Sequence, residues 1–238
     1  MSKHLKRLNA PRVMKIHRKE KKWTVRASPG AHSLQTAIPL TIIVRDYLGL
    51  CDTYTEAKHI ISQGEFLVDG QKRKNHKHPC GFMDVLSIPT LKKDYRILYN
   101  QRGKLVLVAI SSTDAGFKLY RIENKTMLRG KKTQLAFHDG STMLLDKDAY
   151  ATGDVLQVSL KDKTIKDTYP FKKGTLAMII GGSHIGQTAF IEHIAVVASS
   201  RPNLATMKSE EEFQTITHYV FPIGKDKPVV QLPEVKRS

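Results

Sequence analysis

The segment Thr53-Tyr54-Thr55-Glu56-Ala57-Lys58-His59-Ile60-Ile61-Ser62-Gln63-Gly64-Glu65-Phe66-Leu67-Val68-Asp69-Gly70-Gln71-Lys72-Arg73-Lys74 changes its hydrophobic period partway along, and that change decides the fold around it. Thr53 and Glu56 stand at the spacing of a capping box, where each side chain satisfies the other's backbone N–H, so a helix begins here. Ala57, Ile60 and Ile61 fall on its buried side, Lys58 and His59 flank that face, and Gly64 ends it. Beyond Gly64 the period becomes two. Residues 66–68, the Asp69-Gly70 pair and the basic residues 71–74 predict a hairpin, because Asp-Gly tolerates the positive φ of a tight turn. The run Lys72, Arg73, Lys74, His76, Lys77, His78 places four full charges beside that turn.

Upstream, residues 33–62 read as helical, in two helices. Leu40, Ile43, Val44, Tyr47 and Leu48 share one helical face, with Pro39 as a first-turn proline, Gly49 as a stop, and Arg45 and Asp46 pointing outward. Two short helices carrying a basic hairpin make a compact RNA-docking surface.

Downstream the chain reads almost entirely as strand. Residues 95–99, 105–110, 117–122, 133–137, 141–145, 154–160 and 164–168 are short, turn-bounded and often alternating, with Asp139-Gly140 as a second hairpin signal. Residues 176–180 and 188–197 flank a Gly-rich turn, residues 214–221 add a last strand, and residues 224–238 read as a tail. The pattern favours a small barrel or sandwich.

The 238 residues carry a formal net charge of +17 and a pI near 9.8, so the partner is expected to carry dense negative charge, nucleic acid before anionic membrane. Residues 1–26 hold ten Lys or Arg (Lys3, Lys6, Arg7, Arg12, Lys15, Arg18, Lys19, Lys21, Lys22, Arg26) against Glu20 alone, which is more than half of that net charge. Such a concentration opposes collapse onto a core. The interleaved Leu5, Leu8, Val13, Met14, Ile16 and Trp23 predict a segment that orders against a partner and is largely disordered without one. No apolar run approaches the roughly 18 residues that span a bilayer; the longest is Leu105–Ile110. With an N-terminus charged where a signal peptide would be apolar, a soluble, unsecreted protein is expected; Cys51 and Cys80 form no CxxC pair, which fits a reducing cytosol.

Sites of chemistry fail on their spacing. Gly181-Gly182-Ser183-His184-Ile185-Gly186 is neither GxGxxG nor GxSxG, and no Gly-Lys-Ser/Thr follows it. His76, His78 and Cys80 offer a single thiol without a second Cys pair, a poor zinc set that fits a basic loop better. Glu210 to Glu212 read as a solvated turn or helix start behind Ser209. No catalytic residue, metal or cofactor is expected.

Lys3-His4-Leu5-Lys6-Arg7-Leu8-Asn9-Ala10-Pro11, Trp23, Pro29-Gly30-Ala31-His32, Pro39-Leu40, Arg45-Asp46, Val68-Asp69-Gly70-Gln71-Lys72-Arg73 and Pro79-Cys80-Gly81-Phe82-Met83-Asp84-Val85 follow one another in an order and spacing that resemble the archaeal and eukaryotic-type small-subunit ribosomal protein family S4e. Residues 174–194, with Gly182 and Gly186, resemble a KOW motif whose usual third glycine is Ala189 here, and Asn75 stands where the family more often has Asp. The resemblance implies an α+β, multidomain chain. Its expected parts are a basic N-terminal extension (1–36), a small helical and hairpin RNA-binding module of the S4 type (37–91), a central β domain (92–172), an SH3-like KOW barrel (173–222) and a C-terminal tail (223–238). It implies binding to small-subunit ribosomal RNA beside neighbouring ribosomal proteins in the cytoplasm, with no membrane partner and no homo-oligomer. The residues expected on RNA are the ten cations of the extension with His4, then Arg45, Lys58, His59, Lys72, Arg73, Lys74, His76 and Lys77, and Ser183, His184 and Gln187 as donors near the glycines. An RNA-modifying enzyme such as a pseudouridine synthase carries a related helical module, but no catalytic Asp motif, nucleotide loop or metal set is present. A KOW-containing transcription or translation factor leaves the N-terminal signature unexplained.

Overall fold

The computed structural model describes residues 4–130, 132–146, 149–209 and 211–233. They form two compact units, Met1–Leu98 with Lys104–Lys118, and Tyr99–Gly103 with Leu119–Ser238. The described chain is mostly β, arranged in several antiparallel sheets with few helices. The helical share of the expected α+β class is therefore small.

In the first unit the capping box forms as the spacing requires. The Glu56 backbone N–H donates to Thr53 Oγ1 at 3.3 Å, and Glu56 Oε2 accepts from the backbone N–H groups of Thr53 at 3.3 Å and Asp52 at 3.1 Å. Helix Tyr54–Ser62 buries Ala57 and Ile61 and leaves Ile60 half-buried. Upstream, helix is much shorter than the sequence suggests. Ile38–Pro39 is extended and pairs with Pro79–Cys80, since a proline pushes the residue before it out of the helical region. Only Leu40–Ile42 is α, followed by a wider turn at Ile43–Tyr47 that closes through Leu48 N–H to the Ile43 carbonyl at 2.9 Å. Of the expected apolar face Leu40, Ile43 and Val44 are fully buried and Tyr47 and Leu48 half-buried, and Ile42, outside that face, is fully buried as well, as a single long helix would not arrange them.

The hairpin pairs Leu67–Val68 with Gln71–Lys72 across a two-residue loop in which Asp69 has φ 51° and Gly70 has φ 74°. It continues through Val85–Ile88 and Lys93–Tyr99 to Leu105–Ile110 as one five-stranded sheet.

The extension is not a free tail within this unit. Leu5–Lys6 pairs with Trp23–Thr24, Arg7–Asn9 makes a 3-10 turn, and Ala10 and Met14 are buried at 5% and 1% exposure. Leu105 N–H donates to the Val13 carbonyl at 2.9 Å, and Lys15 N–H donates to Tyr47 Oη at 2.8 Å. Ala10, Met14 and the backbone of Val13 and Lys15 provide the anchors, whereas Leu8 and Trp23, also interleaved with the charges, stay exposed.

The second unit holds two five-stranded sheets. One runs Thr142–Leu145, Thr133–Phe137, Phe117–Met127, Val155–Ser159, Ile165–Tyr169, the first two residues of Phe117–Met127 lying in the first unit. The other runs Glu212–Ile216, Leu204–Lys208, Thr188–Ala195, Leu176–Ile179, Val220–Gly224. Their cores gather around Ile122, Leu135, Leu156 and Val158, and around Ala177, Ile191, Met207 and Val220. Three expectations change here. Residues 214–221 are not one strand, because a 3-10 turn at Thr217–Tyr219 divides Glu212–Ile216 from Val220–Gly224. Of the turn or helix start expected at 210–212, no helix forms among the described residues: Ser209 and Glu211 lie in an exposed bend and Glu212 opens a strand, while Glu210 lies outside the described residues. The supposed tail folds back, with Val229 N–H on the Ile223 carbonyl at 3.0 Å and Val230 buried at 3% exposure.

Candidate nucleic-acid interface

The basic hairpin is held from beneath by a buried charge cluster. The Lys118 ammonium, fully buried, donates to Asp69 Oδ2 at 2.7 Å and Asp84 Oδ1 at 2.6 Å. Asp84 Oδ1 also meets His32 Nε2 at 2.9 Å, and Asp84 Oδ2 accepts from Gly81 N–H at 2.8 Å. Asp69 Oδ1 accepts from Val85 N–H at 2.9 Å, so the hairpin's own turn residue is pinned to the sheet. Burial favours the neutral form of both carboxyls. It pushes Asp69 up, to about 6, helped by the nearby Asp84 charge and opposed by Lys118. For Asp84, Lys118 and then His32 outweigh burial and hold the carboxyl well below its ordinary range. Buried charges persist only when paired in this way.

On this support Lys72 and Lys74 are exposed, and Arg73 and Lys77 are half-buried. Arg73 keeps its Nε buried without a partner among the described residues. The Lys77 carbonyl accepts from Ser28 N–H at 2.9 Å and Ser28 Oγ at 3.0 Å, which ties the loop to the extension. His76 meets Tyr54, ring edge to face at 5.5 Å, with Nε2 and Oη 2.7 Å apart. Burial, then the charges of Lys77 and Lys58, lower its pKa, which favours a neutral ring there. Lys58 and His59 are exposed on the capped helix. Arg45 is half-buried rather than free, forming a bidentate pair with Asp46 at 2.8 and 2.9 Å.

Within the extension His4, Lys6, Arg12, Lys15, Lys19, Lys21 and Lys22 are exposed and Arg26 is half-buried. Lys3 lies outside the described residues. Lys22 sits over the Trp23 ring at 5.5 Å, and His4 packs on the same ring at 5.6 Å. Arg7 and Arg18 depart from the expected outward placement. Arg7 is buried at 4% exposure and donates to the His17 carbonyl and to Glu20. Arg18 donates to the carbonyls of Leu8 at 3.2 Å, Ala10 at 2.7 Å and Pro11 at 2.9 Å. Both guanidiniums stitch the extension to itself, a task suited to their fork of donors.

Ser183, His184 and Gln187 belong to the other unit. Ser183 is exposed; the His184 ring stacks on Phe213 at 4.0 Å and 18°, and its Nδ1 lies 3.3 Å from Gln187 Oε1. Gly186, at φ +80°, has no room for a Cβ, which would sit 2.5 Å from the Asn100 carbonyl. Packing within the unit accounts for that glycine.

Among the described residues no group of three or more His, Cys, Asp or Glu gathers as a metal site, and no helix is long and apolar enough to cross a membrane. Cys80 is fully buried and its thiol is pushed well up by burial. The supporting cluster of His32, Asp69, Asp84 and Lys118 was not anticipated as a unit. Three of its members lie inside stretches quoted above for the family resemblance, while Lys118 carries no signal beyond its place in a strand.

Three family models match: the RS4NT domain over residues 1–35, the S4 domain over residues 40–86 and Ribosomal family S4e over residues 91–165. The small ribosomal subunit protein eS4 of Methanothermobacter thermautotrophicus is 47% identical, covering 97% of this chain and 96% of its own. That of Archaeoglobus fulgidus is also 47% identical, covering 96% and 97%. The crystal structure of the 30S ribosomal protein S4e from Thermoplasma acidophilum superposes with a TM-score of 0.70 at 36% identity, over 80% of this chain and 96% of that one. With identity of this order along nearly its whole length, and with the capped helix and basic hairpin falling inside the matched S4 domain, the chain belongs to the ribosomal protein S4e family.

Proposed function

We propose that this chain is a structural constituent of the small ribosomal subunit in the cytoplasm, binding ribosomal RNA and stabilising its fold, and that it is not an enzyme. The observation that carries the reading is the pinned hairpin, whose turn is fixed by buried Lys118 while Lys72 and Lys74 face outward. Charges held on a rigid support meet phosphates with little further ordering, so they discriminate among RNA shapes. The exposed lysines of the extension add neutralisation along the phosphate backbone. Arg7 is set aside from the contact residues, since its guanidinium is buried, and Arg18 serves first as an internal staple.

The finer architecture is part of the same proposal: an extension over 1–36, an S4-type module over 37–91, a central β domain over 92–172, a KOW-type barrel over 173–222 and a C-terminal segment over 223–238 that starts within the last strand and folds back on it rather than trailing as a tail. On this reading Ser183, His184 and Gln187 form a second, smaller contact. The partners are small-subunit ribosomal RNA and adjoining ribosomal proteins, without a membrane or a second copy of the chain.

The test is equilibrium binding to small-subunit ribosomal RNA over a range of salt. Log affinity should fall linearly with log salt at about 0.7 to 0.9 per phosphate neutralised. Salt-independent binding, or equal affinity for an unrelated RNA of the same length, would overturn the proposal.

A further inference from the structure

Within the second unit a crevice of about 350 Å³ opens where its two sheets meet, and nothing in the proposed function uses it. Arg121 is among its lining residues. That guanidinium is consumed internally, donating through Nη1 to the carbonyls of His218 at 2.7 Å and Val220 at 3.0 Å, and through Nε and Nη2 to Glu123 Oε1. Its charge is matched by Glu123 and four of its five N–H donors are engaged, so it has little to offer a phosphate despite the basic chain.

What the crevice leaves open is a different set of groups. Glu123 Oε2 is 3.7 Å from His218 Nδ1, beyond hydrogen-bond reach, so this oxygen retains acceptor capacity. Asn203 accepts from Val197 N–H through Oδ1 at 3.0 Å, and its amide N–H donors have no partner among the described residues. Phe171, Ile194 and Val220 supply apolar walls. An anionic acceptor, an amide donor and a flat apolar wall suit an uncharged planar ring rather than an ion. The volume lies near the lower end of the roughly 300–1,000 Å³ of ligand pockets.

We propose that this crevice receives an unpaired guanine of the RNA, with Glu123 Oε2 accepting from guanine N1–H and N2–H and the Asn203 amide donating to O6. Unstacked bases are read on their Watson–Crick edges against apolar or aromatic surfaces. Guanine alone presents two adjacent donors beside an acceptor; adenine, cytosine and uracil each offer the carboxylate a single edge donor position. The inference rests on the RNA-binding reading but uses residues outside the basic hairpin.

The experiment is titration of the isotope-labelled full chain with GMP, AMP, CMP, UMP and inorganic phosphate, followed by NMR. GMP should shift the backbone amides of Thr152, Gly153, Asn203 and Thr217 saturably, at least about fivefold more tightly than the others. Asn203→Asp keeps the oxygen that caps Val197 but replaces the donor, and should remove the response while the rest of the spectrum stays in place. Glu123→Gln should do the same; if it disturbs Arg121 and the fold, Asn203→Asp alone decides. Equal shifts by all four nucleotides, shifts reproduced by phosphate, no shift at these amides, or GMP binding that survives Asn203→Asp would each overturn the inference. None of those results bears on binding of small-subunit RNA through the hairpin, which the salt titration measures separately.

Discussion

The extension and the hairpin are both rich in lysine and arginine, yet they use those charges differently. In the extension, Arg7 and Arg18 turn inward to four backbone carbonyls and Glu20, and Arg12 and the lysines occupy the exposed places. In the hairpin, Lys72 and Lys74 face out and the internal work falls to carboxylates gathered around a buried ammonium. The comparison shows that a run of positive charge has two fates. Arg, with five donors in a fixed fork, can replace a missing core by satisfying backbone carbonyls, whereas Lys offers a point charge on a flexible stem.

The largest effect should come from the cluster beneath the hairpin. Lys118→Leu leaves Asp69 and Asp84 buried without their cation, and breaking such a set costs about 3–5 kcal/mol. Urea unfolding of the variant should show that loss; a change below about 1 kcal/mol would mean that the cluster does not hold the hairpin. Next, Arg18→Ala removes three bonds to the carbonyls of Leu8, Ala10 and Pro11. It should loosen the extension by roughly 1–3 kcal/mol, seen as faster amide exchange at Ala10 and Met14 with the global unfolding midpoint little changed. Matching effects from both variants on both regions would erase the contrast drawn between them. Smaller still, Thr53→Ala deletes the cap of Tyr54–Ser62 and should cost about 1 kcal/mol of stability, read as a lower unfolding midpoint; no change would show that packing through Ala57 and Ile61 fixes the helix end without it.

Much of this was legible from local signals. The capping box, the Asp-Gly hairpin and most strands of the second unit were readable because each depends on neighbours in sequence, as with Thr53 and Glu56 or Asp69 and Gly70. The strand Leu204–Lys208 was not read, since Leu204, Ala205, Thr206 and Met207 alternate too weakly to stand apart from the polar loop before them. The fate of the extension was hidden for a different reason. Its anchors are Leu105, Lys104 and Tyr47, far along the chain, so charge density dominated the reading. Lys118 was invisible on the same ground, because its partners lie 49 and 34 residues away. Long-range pairing of polar groups leaves no period in the sequence.

The division of labour between the two basic regions is most directly measured by competition between small-subunit RNA and a scrambled RNA of equal length, using two triple variants that each remove three positive charges. Lys72→Ala with Lys74→Ala and Lys77→Ala should lower the ratio of specific to nonspecific affinity by about tenfold or more, because these charges sit on the pinned support. Lys19→Ala with Lys21→Ala and Lys22→Ala should weaken both affinities together and leave their ratio within about twofold. Loss of discrimination in the extension variant with none in the hairpin variant would contradict the account.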